Sequence, residues 1–217
     1  MPHVRARFAS RRTTHRPLAT AGLATVVAIA LVLAPGAGAA HACGEAKHAP
    51  ATKRGAGGRA PLVIGDSVLL GAVSQVAAAG FEVNTRGCRQ MREGLGIIAA
   101  RRRAKTLPHF VVIALGANGS IATRQIREAM RIVGRDRILG LVTPRELGGG
   151  ESSDARAIRA AGRRFPDRIR VLDWVHFSAG HGGWFAGDGL HLGPGGARGL
   201  ARLLRAALPL AIEPLCP

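Results

Sequence analysis

Three residues in this chain carry the side chains, at the right spacing, for acyl transfer: Ser67 in Gly65-Asp66-Ser67-Val68, and Asp188 with His191 in Asp188-Gly189-Leu190-His191. A serine hydroxyl is a poor nucleophile until a base removes its proton. That base in turn needs an acid to hold its tautomer and offset its growing charge. Three residues apart, Asp188 and His191 can supply both from one turn, the carboxylate on one ring nitrogen and the other nitrogen facing outward. The oxyanion formed during acyl transfer needs donors. The backbone N–H of Ser67 at a helix start, the N–H of Gly87, where no Cβ blocks approach, and the side-chain amide of Asn118 are the candidates.

Each residue has a plainer reading. Ser67 alone could cap a helix after a strand, Gly87 could be a turn glycine, and Asn118 could cap the next helix. His176 and His181 compete with His191 for the base, but only His191 follows an acid by three residues. Asp173 ends a strand and reads as a loop brace. Asp66 reads as a turn-fixing residue through local hydrogen bonds. Trp184 and Phe185 read as pocket walls or as loop anchors, and Arg101-Arg102-Arg103 as a solvated helix end.

For these groups to meet, the chain must bring them to one edge of a sheet. Leu62-Val63-Ile64, Phe110 to Leu115 and Ile138 to Val142 are uncharged apolar runs, as expected of strands covered on both faces. Phe81 to Asn84 and Ile169 to Val171 alternate, as half-covered edge strands do. Helical patterns lie between them: Ile126, Ala129, Met130 and Val133 share a face behind a cap at Ser120, with Gly134 as the stop. Gly193-Pro194 leads into Ala197, Leu200, Ala201 and Leu204, with Arg198, Arg202 and Arg205 outside. Five strand–helix alternations predict an α/β three-layer sandwich around a five-stranded parallel sheet with right-handed crossovers. With the alternating strands outermost the order is flavodoxin-like, 2-1-3-4-5, and its switch point lies beside Ile64, immediately before Gly65-Asp66-Ser67.

The 217 residues and their 47% hydrophobic content suit one globular domain and exclude a disordered, coiled-coil or multi-span protein. Residues 1–42 read as a secretion signal: arginines to Arg16, an apolar run from Leu18 to Ala34, then small residues suited to cleavage. Residues 43–60 read as a polar, Gly-rich linker, and 61–217 as the domain. The net charge of +18 comes mostly from Arg, 28 residues against 3 Lys, a skew that GC-rich coding produces. Five arginines belong to the leader, and no basic run is interleaved with aromatics, so nucleic-acid binding is disfavoured. Cys43 and Cys216 bracket the mature chain and could pair in an oxidising compartment, leaving Cys88 over.

Gly65-Asp66-Ser67-Val68, a glycine after the second strand, Gly116-Ala117-Asn118 and Asp188-x-x-His191 resemble, in order, the four blocks of the SGNH (GDSL) hydrolase superfamily over residues 61–208. Leu115-Gly116-Ala117-Asn118-Gly119 and the stretch from Asp173-Trp174 through Trp184 to Leu192 resemble the extracytoplasmic domains fused to membrane acyltransferases that O-acetylate peptidoglycan. The resemblance implies Ser67 as nucleophile, His191 as base and Asp188 as its partner. It assigns the oxyanion hole to Ser67, Gly87 and Asn118, and implies no metal or cofactor. Two features depart from the pattern. A membrane acyltransferase domain has no counterpart in the sequence, so the acetyl donor is expected on a separate membrane acyltransferase or in a soluble ester. Many free-standing esterases also carry Asp after the third-block Asn, where Gly119 stands here. An α/β-hydrolase is disfavoured because the elbow motif is absent, Leu69 holding its second glycine position.

The expectation is a secreted serine ester hydrolase working through an acyl-Ser67 intermediate on small O-acyl (acetyl) esters of envelope glycans. The alternatives are an O-acetyltransferase with a separate membrane acyl donor, and a non-catalytic module that grips anionic wall polymer.

Overall fold

In a computed structural model, residues 43–52 and 58–211 are described; the signal reading of 1–42 and Cys216 lie outside them. The uncharged runs form β2 (Leu62–Gly65), β4 (Phe110–Ala114) and β5 (Ile138–Val142), almost wholly buried as strands covered on both faces must be. Their side chains alternate between two cores. Leu62, Ile64, Val111, Ile113, Leu139 and Leu141 pack with the apolar faces of α3 (Met91–Arg103), α4 (Thr123–Val133) and α5 (Ser153–Arg164). Val63, Phe110, Val112, Ile138 and Val142 face the opposite way. There they meet Leu69 of α1 (Ser67–Leu70), Val76 of α2 (Val73–Ala78), Trp174 of α6 (Trp174–Phe177) and Leu200 and Leu204 of α7 (Pro194–Ala206). Each large apolar side chain so buried contributes roughly 1.5–3 kcal/mol.

The α/β three-layer class stands, with one strand more than expected. Together with β3 (Glu82–Arg86) and β6 (Ile169–Leu172), the central strands form a parallel sheet in the order β3-β2-β4-β5-β6, which is 2-1-3-4-5 among the five anticipated strands. A sixth strand, β1 (Ala46–Ala49), pairs antiparallel with β3, Ala46 opposite Arg86 and Ala49 opposite Val83. The segment read as a linker from residue 43 therefore begins as sheet, and the second anticipated strand is not an edge. Nothing in Ala-Lys-His-Ala announces a strand, because β1 is exposed and exists by pairing with β3.

What fastens β1 is a disulfide between Cys43 and Cys88, a different pairing from the Cys43–Cys216 bridge that the sequence suggested. Proximity to the chain ends misled: β1 runs back along β3, which brings Cys43 beside the residue just past that strand. A smaller correction concerns α4. It is preceded by Ala122, not capped by Ser120, and the Gln125 side chain accepts from the Ala122 N–H while Gly134 ends the helix at φ 88°.

Candidate active site

Ser67 opens α1 directly after β2. Asp66 caps that helix by accepting from the Val68 N–H at 3.1 Å. Being 1% exposed, its carboxyl group does more than fix the turn. Its second oxygen accepts from the Ala117 N–H at 3.2 Å, tying the turn that bears Ser67 to the loop that bears Asn118. Burial raises this carboxyl to about 6, even though the N–H groups of Val68 and Ala117 pull the other way. Behind the turn, Thr85 donates its hydroxyl to the Asp66 carbonyl at 2.6 Å. Arg89, 3% exposed, donates to the carbonyls of Gly65 and Asn84 and pairs with Glu93. Arg89 did not stand out in the sequence, since nothing local marks an arginine after a strand as one that will be buried against carbonyls.

His191 and Asp188 occupy a hairpin leading into α7, closed by a bridge between Phe185 and Leu192 and by the Ala186 N–H donating to the His191 carbonyl. One oxygen of Asp188 accepts from the backbone N–H groups of Leu190 and His191, so the carboxylate winds its own turn. The other lies 2.5 Å from His191 Nδ1. Burial, the largest single influence, pushes the Asp188 carboxyl up. The His191 ring and the two N–H groups outweigh it and hold the carboxyl at about 2. Gly189 sits at φ 67°, with the backbone of Gly148 and Gly149 where a Cβ would be, so this turn requires glycine.

Across the cleft, His191 Nε2 lies 3.1 Å from Ser67 Oγ, joining positions 124 apart in sequence. With Nδ1–H donating to Asp188, Nε2 is left to accept the serine proton. Asn118 follows the loop after β4, and its side-chain nitrogen is buried without a partner. Buried polar atoms are nearly always paired; among the described residues this amide shares its lack of a partner with Asn84 Oδ1, Arg86 Nε, Arg168 Nε and Trp174 Nε1. Gly87 is different: its N–H already donates to the Glu45 carbonyl beside β1, at 2.9 Å. Because β2 and β1 flank β3 on opposite sides, an N–H directed to β1 faces away from Ser67. Structure and expectation therefore part at this residue.

The rival residues have other work. Asp173 caps α6, receives Thr143 and takes two hydrogen bonds from Arg159. His181 packs tilted against Trp184 at 3.9 Å between ring centres, and His176 lies in the last turn of α6. Trp184 is a loop anchor: Cβ atoms at Gly195 or Gly199 would strike its ring, and one at Gly196 its carbonyl oxygen. Phe185 lies under the Arg145 guanidinium, 4.3 Å away, and Arg145 also donates to the Gly189 carbonyl. Residues flanking Ser67, Asn118 and His191, together with Thr143, Pro144, Arg145 and Trp174, line a cavity of about 30 Å³. That is space for one or two water-sized groups. Arg101 pairs with Glu82, and Arg102 with Asp136.

No family model matches the sequence. Over 149 residues the chain is 29% identical to the O-acetyltransferase OatA of Staphylococcus aureus, a match covering 66% of this chain and 24% of that protein. The chain thus spans about a quarter of the length of the curated relatives it matches. The C-terminal catalytic domain of Streptococcus pneumoniae peptidoglycan O-acetyltransferase A, solved with a methylsulfonyl adduct, is similar in fold. Its TM-score is 0.60 at 25% identity, covering 70% of this chain and 93% of that one. A GDSL-like lipase from Bacteroides thetaiotaomicron shares the fold alone, with a TM-score of 0.55 at 14% identity over 70% of this chain and 88% of its own.

Proposed function

For a chain similar in sequence to the OatA O-acetyltransferases and in fold to the SGNH (GDSL) hydrolases, we propose a serine acyl-transfer enzyme that opens small O-acyl esters through an acyl-Ser67 intermediate. The observation that carries this reading is the hydrogen-bonded series Ser67–His191–Asp188. His191 Nε2 takes the Ser67 proton as Oγ attacks the ester carbonyl. The imidazolium so formed is held by Asp188, which stays ionised far below neutral pH. Asn118 Nδ2–H and the Ser67 N–H, which has no intrahelical acceptor at the first helical position, receive the oxyanion. His191 then protonates the departing alkoxide, and water or a sugar hydroxyl releases the acyl group by the reverse sequence.

A short acyl group such as acetyl is part of this reading, supported by the likeness to O-acetyltransferases. Export and action on envelope glycans belong to this reading, supported by the signal-like sequence of residues 1–42 and by the likeness to a peptidoglycan O-acetyltransferase domain. Among the described residues no helix is long and apolar enough to cross a membrane. Transfer to a glycan, with acetyl supplied by a separate membrane protein, is the second reading, favoured by the likeness to O-acetyltransferases. Turnover of p-nitrophenyl acetate and labelling by methylsulfonyl fluoride test the chemistry. Ser67→Ala is expected to lose both, with turnover falling about 10⁵-fold or more; an equally active variant refutes the mechanism. Acetyl appearing on an added glycan acceptor separates transfer from hydrolysis.

A further inference from the structure

The face of α7 turned away from the sheet bounds a groove of about 570 Å³ against α2, lined by Gln75, Ala78, Trp184, Arg198, Arg202 and Arg205 among others. No carboxylate lines it. The other long helices each carry an acid, Glu93 on α3, Glu128 on α4 and Asp154 on α5, whereas α7 and α2 carry none. Among the described residues, Arg198, Arg202 and Arg205 enter no ion pair, and all three are exposed. Steps of four and three residues set them about 6 and about 4.5 Å apart along one helix edge. The Arg202 guanidinium lies over the Trp184 ring at 5.5 Å, so one fork of the row is already oriented. Gly195, which also lines the groove, follows His191 by four residues in sequence, and the arginine row lies further along α7.

We propose that this groove is a binding track for a linear anionic glycan, a sugar chain bearing carboxylate or phosphate groups, which it feeds toward Ser67. The inference rests on the acyl-transfer reading for its direction and deepens it by naming the class of polymer. Guanidinium forks take such groups in pairs of parallel hydrogen bonds, and Trp184, packed between Trp174 and α7, holds the wall from which Arg202 projects. A trough suits a strand better than a flat lipid surface. Neither large exposed hydrophobic residue of the described chain, Leu147 or Phe177, lines it for insertion into a membrane.

The test uses a fluorescent polygalacturonate oligomer, with neutral dextran and phosphatidylglycerol vesicles alongside. R198Q/R202Q/R205Q is compared with R124Q/R127Q/R131Q, which removes the same charge from α4. The groove variant is expected to bind the oligomer at least about tenfold more weakly than wild type. The α4 variant is expected to bind as wild type does, and dextran not at all. Both variants should keep p-nitrophenyl acetate turnover, because none of these arginines belongs to the catalytic series. Absent binding, equal weakening in both variants, or groove-dependent binding to vesicles in preference to the oligomer overturns the proposal. Loss of p-nitrophenyl acetate turnover in the wild type would instead sink the catalytic reading and leave the binding comparison standing.

Discussion

Two loops leave the carboxyl edge on either side of the strand before Ser67, and each brings a residue that sequence offers as an oxyanion donor. After β4, Asn118 keeps a buried amide without a partner. After β3, Gly87 spends its N–H on Glu45, a neighbour that exists only because β1 pairs there. β4 sits inside the sheet with both flanks filled, whereas β3 is where the parallel sheet ended until β1 extended it. The difference teaches that a donor's availability is set by what its strand pairs with, more than by its residue type.

After the loss expected of Ser67→Ala, the next largest effect lies upstream of both donors. Asp188→Asn leaves the ring in place but favours the wrong tautomer, and should cost about 10³–10⁴-fold in kcat on p-nitrophenyl acetate. Next, Asn118→Ala should lower kcat by about 10²–10³-fold with little change in KM. A variant within threefold of wild type would remove Asn118 from the oxyanion hole and make the two loops alike. Cutting the tie that gives β3 its outer neighbour, in C43S/C88S, frees a 45-residue separation. Chain entropy alone makes the loss about 4 kcal/mol of unfolding free energy, readable by chemical denaturation.

Asp66, which couples the Ser67 turn to the Asn118 loop, gives a subtler test. Its carboxyl lies at about 6 in the folded protein, above the ordinary 3.8. The folded state thus holds that proton more tightly than the unfolded chain. Its stabilisation is complete below about pH 4 and disappears as pH climbs through about 6. Relative to Asp66→Asn, wild-type stability should therefore fall by up to about 3 kcal/mol between pH 4 and pH 7. A parallel pair of stability curves would show that Asp66 is not held protonated by burial. The smallest effect concerns Gly87. Its amide should exchange with deuterium as slowly as its strand neighbours, and its nitrogen resonance should stay put on sulfonylation of Ser67, while that of Asn118 Nδ2 moves. A Gly87 shift matching that of Asn118 would break the contrast.

Much of this was legible along the chain. Uncharged runs such as Ile138 to Val142 could only be central strands, and the apolar spacing of α4 and α7 declared their buried faces. That Ser67, Asp188 and His191 would meet was readable because each motif carries its own local geometry: a cap at Asp66, and a turn wound by Asp188 around its own N–H groups. Arg89, Arg145 and β1 were not legible. Their partners are carbonyls, a ring and a strand edge that lie far away in sequence, and no local pattern marks such partners.

What the amino-acid order settled unaided was the layered α/β plan and the short-range turns that hold Ser67, Asp188 and His191, because hydrophobic period and local hydrogen bonding act within a few residues. Only the folded chain decided which cysteine Cys43 meets, whether Gly87 has an N–H to spare, and that Trp184 seats on the glycines of α7. Those outcomes depend on which distant surfaces compete for the same donor or the same space, and that competition exists only once the sheet has assembled.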